Sequence, residues 1–212
     1  MHTALRLANS DAALYREACA KAHVKPIYHP FWEDLLYVNI YQAITPDILH
    51  QLHQGVLKHL LKWLSKAYGA TEIDACCCWL FPNHHIHIFS NRITGLSRMT
   101  GKEHDLMSRI LLGLIVGMQL PNHLNLAQLL HAVCSFLDFL YLAQLPRHST
   151  HTLHQLDSAL KTFHNNKSIF NDLSIRKDFK IPKLHSLRHY ITSIKLFGTT
   201  DNYNTQHTKR LH

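Results

Sequence analysis

Glycine and proline are scarce in this chain, with seven of each among 212 residues. That is too few for the closely spaced turns of a β-sandwich or barrel. Charged residues make up only 17%, but apolar residues reach 46%, a balance that excludes a disordered chain. Acidic side chains number fourteen against twenty-two Lys and Arg, which gives a net charge of +8. No Cys-x-x-Cys spacing occurs: the five cysteines are Cys19, the adjacent Cys76, Cys77 and Cys78, and Cys134. Adjacent cysteines point different ways from a helix, so they form a poor zinc site, and an odd count argues against a disulfide framework. No charged-then-apolar leader opens the chain, and together these features predict free thiols in an intracellular compartment.

Long apolar runs are also few. Leu106 to Met118 is thirteen residues, short of the roughly 20 needed to cross a bilayer. Leu124 to Leu145 is long enough but carries His131, Asp138 and several Gln and Asn. Buried helices of a core explain both, and no membrane partner is expected. The length suits one domain or two small ones.

Histidine is abundant, with twenty residues, so acidification toward the intrinsic pKa of about 6.5 would add much positive charge. Charge is also unevenly placed. From Lys161 onward there are ten Lys and Arg against three Asp, so seven of the eight net positive charges lie in the last quarter. A basic end can attract phosphates, or it can be a solvated helical face followed by a polar tail.

Along the chain, Ser10 is placed to cap a short helix that runs to about Ala22. Val24 to Pro30 reads as an extended link, because each proline biases its predecessor away from helix. The aromatic-rich stretch from Phe31 to Ile40 fits either a strand or a packed loop. Thr45 then reads as a cap, with Pro46 at the first helical position and Asp47 favouring the positive helix end. Ile48, Leu52, Val56, Leu60 and Leu64 recur every four residues, and Gly69 should end the run. Thr71 should open a shorter helix through the cysteines that stops near Pro82. Cap candidates Asn125 and Thr150, with Pro121, Pro146 and Gly198 as punctuation, complete the series. The expected fold is an all-α bundle with long helices near 46–68, 101–118, 125–145, 150–170 and 182–197. The expected organisation is a lead-in over 1–44, a helical domain over 45–198 and a polar tail over 199–212.

Three groups could bind a metal, and none has a full ligand set. Asp47, His50 and His53 sit at i, i+3 and i+6, so Asp47 and His50 share a face while His53 turns away. His84, His85 and His87 fit a His-rich surface turn, with no Cys or carboxylate at ligand spacing. His185 and His189 have the i, i+4 spacing of a helical zinc pair, but Ser186 stands where the metalloprotease pattern needs Glu. With no Gly-rich loop either, a His-based metallohydrolase is disfavoured, and no cofactor is expected.

Several segments together carry a resemblance. They are Lys25-Pro26-Ile27-Tyr28-His29-Pro30-Phe31-Trp32, Thr45-Pro46-Asp47-Ile48-Leu49-His50-Gln51-Leu52-His53-Gln54-Gly55, and Leu137-Asp138-Phe139-Leu140-Tyr141. Ile181-Pro182-Lys183-Leu184-His185-Ser186-Leu187-Arg188-His189-Tyr190 and the stretch from Gly198 to His212 complete the set. In this order they resemble the carboxy-terminal part of fungal Plavaka-type transposases, of the Kyakuja-Dileera-Zisupton group of cut-and-paste elements. Asp-x-x-His, here Asp47 and His50, also resembles a motif of several DDE-type transposases, while an Asp at a helix start is by itself most often a cap. The resemblance implies an RNase H-like enzyme in which two Asp and one Glu hold metal ions for two-metal phosphoryl transfer. It also implies that the helices from Asp47 to about Phe197 correspond to an insertion between the second Asp and the Glu. The chain would then be an internal fragment without the catalytic sheet.

The family tail reads approximately Tyr/Phe-Asn-Thr-Glu-x-x-Glu-Arg-Leu-His, and here Gln206 and Lys209 occupy the two acidic places. A protonated Lys repels a metal ion, and Gln offers one neutral oxygen, a weak Mg²⁺ ligand. The expectation is a degenerate, inactive copy with no catalytic residues. Weak DNA binding is expected through Lys177, Lys180, Lys183, Arg188, Lys209 and Arg210, with nuclear localisation if DNA is bound. The alternative is a helical module that binds a protein such as an intact transposase. The tail from Thr199 to His212, with Tyr203 and Leu211 as its only apolar anchors, should be mobile.

Overall fold

The computed structural model describes residues 11–28, 30–80, 93–94, 99–120 and 124–205. It is mostly helical, with no strand among the described residues. The chain forms two compact units, residues 1–44 and 45–212.

In the first unit, helix α1 (Ala12–Lys21) is capped by Asp11, whose carboxylate accepts from the N–H groups of Ala13 and Leu14. Ser10, the expected cap, lies outside the described residues. The extended link folds back on α1: Tyr15 donates its hydroxyl to the Ile27 carbonyl at 3.2 Å and packs edge-on against Tyr28. The stretch from Phe31 onward resolves the open choice as a series of turns before the short helix α2 (Ile40–Ala43). Phe31, Leu36 and Tyr37 are exposed there, Tyr37 at 97%.

The second unit opens with a correction. Asp47, in extended conformation, is itself the cap, and neither Thr45 nor Pro46 takes part in the helix. The ten residues Ile48–Leu57 that follow are π-helical and continue into α3 (Lys58–Tyr68). Ile48, Leu52, Val56, Leu60 and Leu64 are all buried, so apolar spacing correctly locates the inner face. Gly55 permits the wide turn: a Cβ there would stand 2.8 Å from the His50 carbonyl oxygen and 3.3 Å from Lys183 Cδ. Replacing Gly55 with Ala should therefore destabilise the fold by about 1–3 kcal/mol despite Ala's better helix propensity. Urea denaturation checks this, and an Ala variant as stable as the parent would show that the π-helical register is not held at this position.

Gly69, at positive φ, ends α3, and α4 (Ala70–Cys78) starts one residue before the expected Thr71. Asp74 on α4 accepts from the backbone N–H groups of Ile93 and Thr94 and from the Thr94 hydroxyl. Helix α5 (Gly101–Ile115) begins with a reciprocal capping box between Thr100 and Glu103, which has the Thr-x-x-Glu signature of such a start. Asn125 caps α6 (Leu126–Ala143) as expected, while Ser149 rather than Thr150 caps α7 (Thr150–Asn166).

Helices α6 and α7 form the largest packed pair, with Phe136 and Phe163 ring centres 5.8 Å apart. Helix α6 has the length and apolarity of a membrane span, and its Leu129, Val133, Phe136 and Leu140 are fully buried in this core. The short α8 (Ile169–Asp172) buries Ile169 and Phe170, and Phe170 packs on Trp63 of α3.

The expected helix over 182–197 is interrupted. It consists of α9 (Pro182–Ser186), a 3₁₀ turn (Leu187–His189) and α10 (Tyr190–Phe197), closed by Gly198 at positive φ. Leu184, Leu187 and Tyr190 stay buried across the change of pitch. After Gly198 the chain makes a further 3₁₀ turn (Thr200–Tyr203).

Candidate functional site

Asp47 lies at the convergence of three chain segments. His50 donates its backbone N–H to Asp47 Oδ1 at 2.5 Å, which caps the π-helical turn. His50 Nδ1 lies 2.5 Å from Oδ2, and Thr205 donates its hydroxyl to the same oxygen at 2.5 Å. The Thr205 hydroxyl is also 3.1 Å from His50 Nδ1. From α10, Tyr190 donates its hydroxyl to the Asp47 backbone carbonyl at 2.8 Å. Burial by itself would raise the Asp47 pKa. Hydrogen bonds from the His50 ring, Thr205 and the His50 N–H, with the attraction of His50, outweigh it and hold the carboxyl below its ordinary value.

The described part of the tail makes more contacts with the helical body than the apolar anchors on which the expectation of mobility rests. Thr200 is 1% exposed and donates its hydroxyl to the Ala143 carbonyl at the end of α6. Tyr203 is half-buried, and burial pushes its phenol pKa up to about 12. With Thr205 on Asp47, residues 199–205 are tied at three points to the helical body. Hydroxyl groups make two of these ties, and a count of apolar anchors does not register them. Gln206, Lys209, Arg210 and Leu211 lie outside the described residues.

His53 does not join the cluster: it is 2% exposed within the core, and its Nδ1 has no hydrogen-bond partner among the described residues. Asp47 and His50 thus form a pair, and no group of three or more His, Cys, Asp or Glu gathers among the described residues. An ion approaching Asp47 Oδ2 would compete with both His50 and Thr205. His185 on α9 and His189, the last residue of the 3₁₀ turn, stack edge to face at 5.2 Å. His84, His85 and His87 lie outside the described residues.

The basic residues from the second half of the chain divide into different settings. Lys177 is exposed, and the Lys183 stem packs beside Gly55. Lys180 and Arg188 line one cleft of about 310 Å³ together with Lys167, His164, His185 and Phe179. Lys167 is the residue sequence reasoning missed. It belongs to the basic end by count, but only the fold of α7 against α9 brings it beside Lys180 and Arg188.

A family model described as Plavaka transposase matches residues 1–64. No curated protein and no solved structure matches the chain. The matched stretch contains the motif around Pro26 to Trp32 and the run from Asp47 to Gly55, and it supports a Plavaka-type transposase relationship. The motifs near Asp138, Ile181 and Tyr203 lie beyond it.

Proposed function

We propose that this chain is a degenerate, catalytically inactive relative of the Plavaka-type transposases that keeps weak, sequence-tolerant affinity for DNA. In this reading its helices correspond to the insertion of an RNase H-like transposase. The carrying observation is that Gln206 and Lys209 stand at the two acidic places of the family tail, while Asp47, which the resemblance places outside the metal-binding set, serves the fold. Its carboxylate caps a helix and anchors Thr205, a structural assignment that occupies both oxygens. Gln206 and Lys209 weigh against catalysis by their lack of negative charge. Two-metal catalysis needs closely placed carboxylates, and a protonated Lys at one such place repels the ions.

DNA affinity would come from Lys177, Lys180, Lys183 and Arg188, with Lys209 and Arg210, and such a protein would act in the nucleus. The second reading, a helical module that binds a protein partner, is favoured by the exposed Phe31, Leu36 and Tyr37. Salt dependence separates the two. Phosphate contacts give a log–log slope of about −0.9 per contact, so a DNA binder loses affinity steeply between roughly 50 and 200 mM salt. Neutralising Lys177, Lys180 and Lys183 to Gln should flatten that slope by about one for each phosphate contact removed. Absence of DNA binding at low salt would favour the interaction module.

A further inference from the structure

The cleft between the end of α7 and α9 gathers positive charge, with the Asp178 carboxylate nearby accepting from the Lys180 backbone N–H at 2.9 Å. Lys167, Lys180 and Arg188 line it, and no carboxylate does among the described residues. Lys161, by contrast, is paired with Asp157 at 2.6 Å on the exposed part of α7, and Arg176 lies near Asp178. Lys167, Lys180 and Arg188 have no such ion pair among the described residues. The position of Lys167 is fixed: its Nζ donates to His164 Nδ1 at 2.8 Å and sits 5.0 Å above the centre of the Phe179 ring. With Nδ1 accepting, the His164 proton resides on Nε2, which is sealed from solvent and so does not open into the cleft.

From the cleft and its three cations, we infer that the chain has a phosphate-binding pocket. Arg188 can clasp two oxygens, Lys167 and Lys180 supply point charges, and His185 adds a ring at the wall. A phosphate group carries up to two negative charges and three acceptor oxygens, which suits three cations better than a single carboxylate would. The electrostatics agree with the geometry. Burial, then the charge of Arg188, lowers the Lys167 pKa; burial, then Lys167 and Arg188, lowers that of His164 to about 4. A bound anion would relieve both repulsions. The pocket shares Lys180 and Arg188 with the DNA reading but does not rest on it, since Lys167, His164 and His185 belong to the pocket alone. Its phosphate could come from a DNA backbone or from a free phosphate compound.

The test is calorimetric titration of the full chain with inorganic pyrophosphate and, separately, with a short DNA duplex. The proteins compared are the parent, Lys167→Gln, Arg188→Gln and the control Lys161→Gln, each first matched to the parent by thermal melting. If Lys167→Gln fails to fold, Lys180→Gln replaces it. The expected result is saturable pyrophosphate binding, weakened about tenfold or more by each pocket substitution and little changed in the control. An upward shift of the His164 imidazole titration in the bound state, followed by NMR, should accompany it. Loss of DNA affinity in the same variants would identify backbone phosphate as the source, even with no pyrophosphate binding. Pyrophosphate binding with DNA affinity unaffected would identify a free phosphate ligand and leave the pocket standing without the DNA reading. Binding of neither ligand would overturn the pocket, as would equal losses in Lys161→Gln and Lys167→Gln, which mark general charge attraction. DNA binding by the parent that Lys167→Gln and Arg188→Gln leave intact, with no pyrophosphate binding, would also overturn it while preserving the DNA reading.

Discussion

Acidification from about pH 7 to pH 4 should cost the protein much of its stability, with His53 carrying the largest single share. His53 is buried in the core, and that burial is the main reason its pKa falls from 6.5 to about 4; Asp105 and Asp47 oppose the shift and His104 adds to it. The unfolded chain therefore binds the proton first as pH falls. The neutral ring's contribution is intact above about pH 6.5 and is lost progressively toward pH 4. At about 1.4 kcal/mol per pKa unit, the loss from His53 is on the order of 3 kcal/mol, a large part of a typical folding free energy. His164, also displaced to about 4, acts in the same window but is more exposed and contributes less. Asp47 adds a further loss at still lower pH, because its carboxyl is held below the ordinary range when folded. Urea midpoints measured across this range check the assignment. His53→Leu should flatten the slope, since it removes the titrating ring along with an Nδ1 that has no partner among the described residues. A His53→Leu variant with the parent's full pH slope would place the titration elsewhere.

Replacing Asp47 with Ala should destabilise the protein by about 2–4 kcal/mol, through loss of the helix cap and of charge-assisted bonds in a buried setting. The same change should release the end of the described chain, because Thr205 loses its acceptor. Amide exchange at residues 199–205 should then accelerate while α6 and α7 remain protected. Thr205→Val should reproduce the faster exchange with only about 1 kcal/mol of destabilisation, since it removes one hydrogen bond and leaves the cap in place. In a double-mutant cycle the two changes should be non-additive by about 0.5 kcal/mol or more. Full additivity would mean that Asp47 and Thr205 stabilise the fold independently.

Helical content and the inner face of most helices were legible, because apolar spacing and polar caps are local signals. Asn125, Gly69 and Gly198 mark the helix ends that the sequence indicates. Cap identity was less legible where two capping residues adjoin, as at Ser149 and Thr150. It also failed where a Pro drew the start forward, as at Pro46 before Asp47. The π-helical turn over Ile48–Leu57 leaves no trace in four-residue spacing; its requirement is the missing Cβ at Gly55. At the candidate site, Asp47 and His50 stood out as a motif. Their partners Tyr190 and Thr205 are more than 140 residues away in sequence and meet them only through tertiary packing. Lys167 escaped notice for the same reason.

Absence of strand cleavage is the behaviour expected of this chain. Its most direct test is incubation of the purified chain with supercoiled DNA in Mg²⁺ or Mn²⁺, followed by electrophoresis for nicked, linear and joined products. The expected result is a product pattern identical to that of a metal-free control. Metal-dependent nicking or joining by the unmodified chain, abolished by Asp47→Asn at matched folded fraction, would contradict it and would make Asp47 a catalytic ligand rather than a cap.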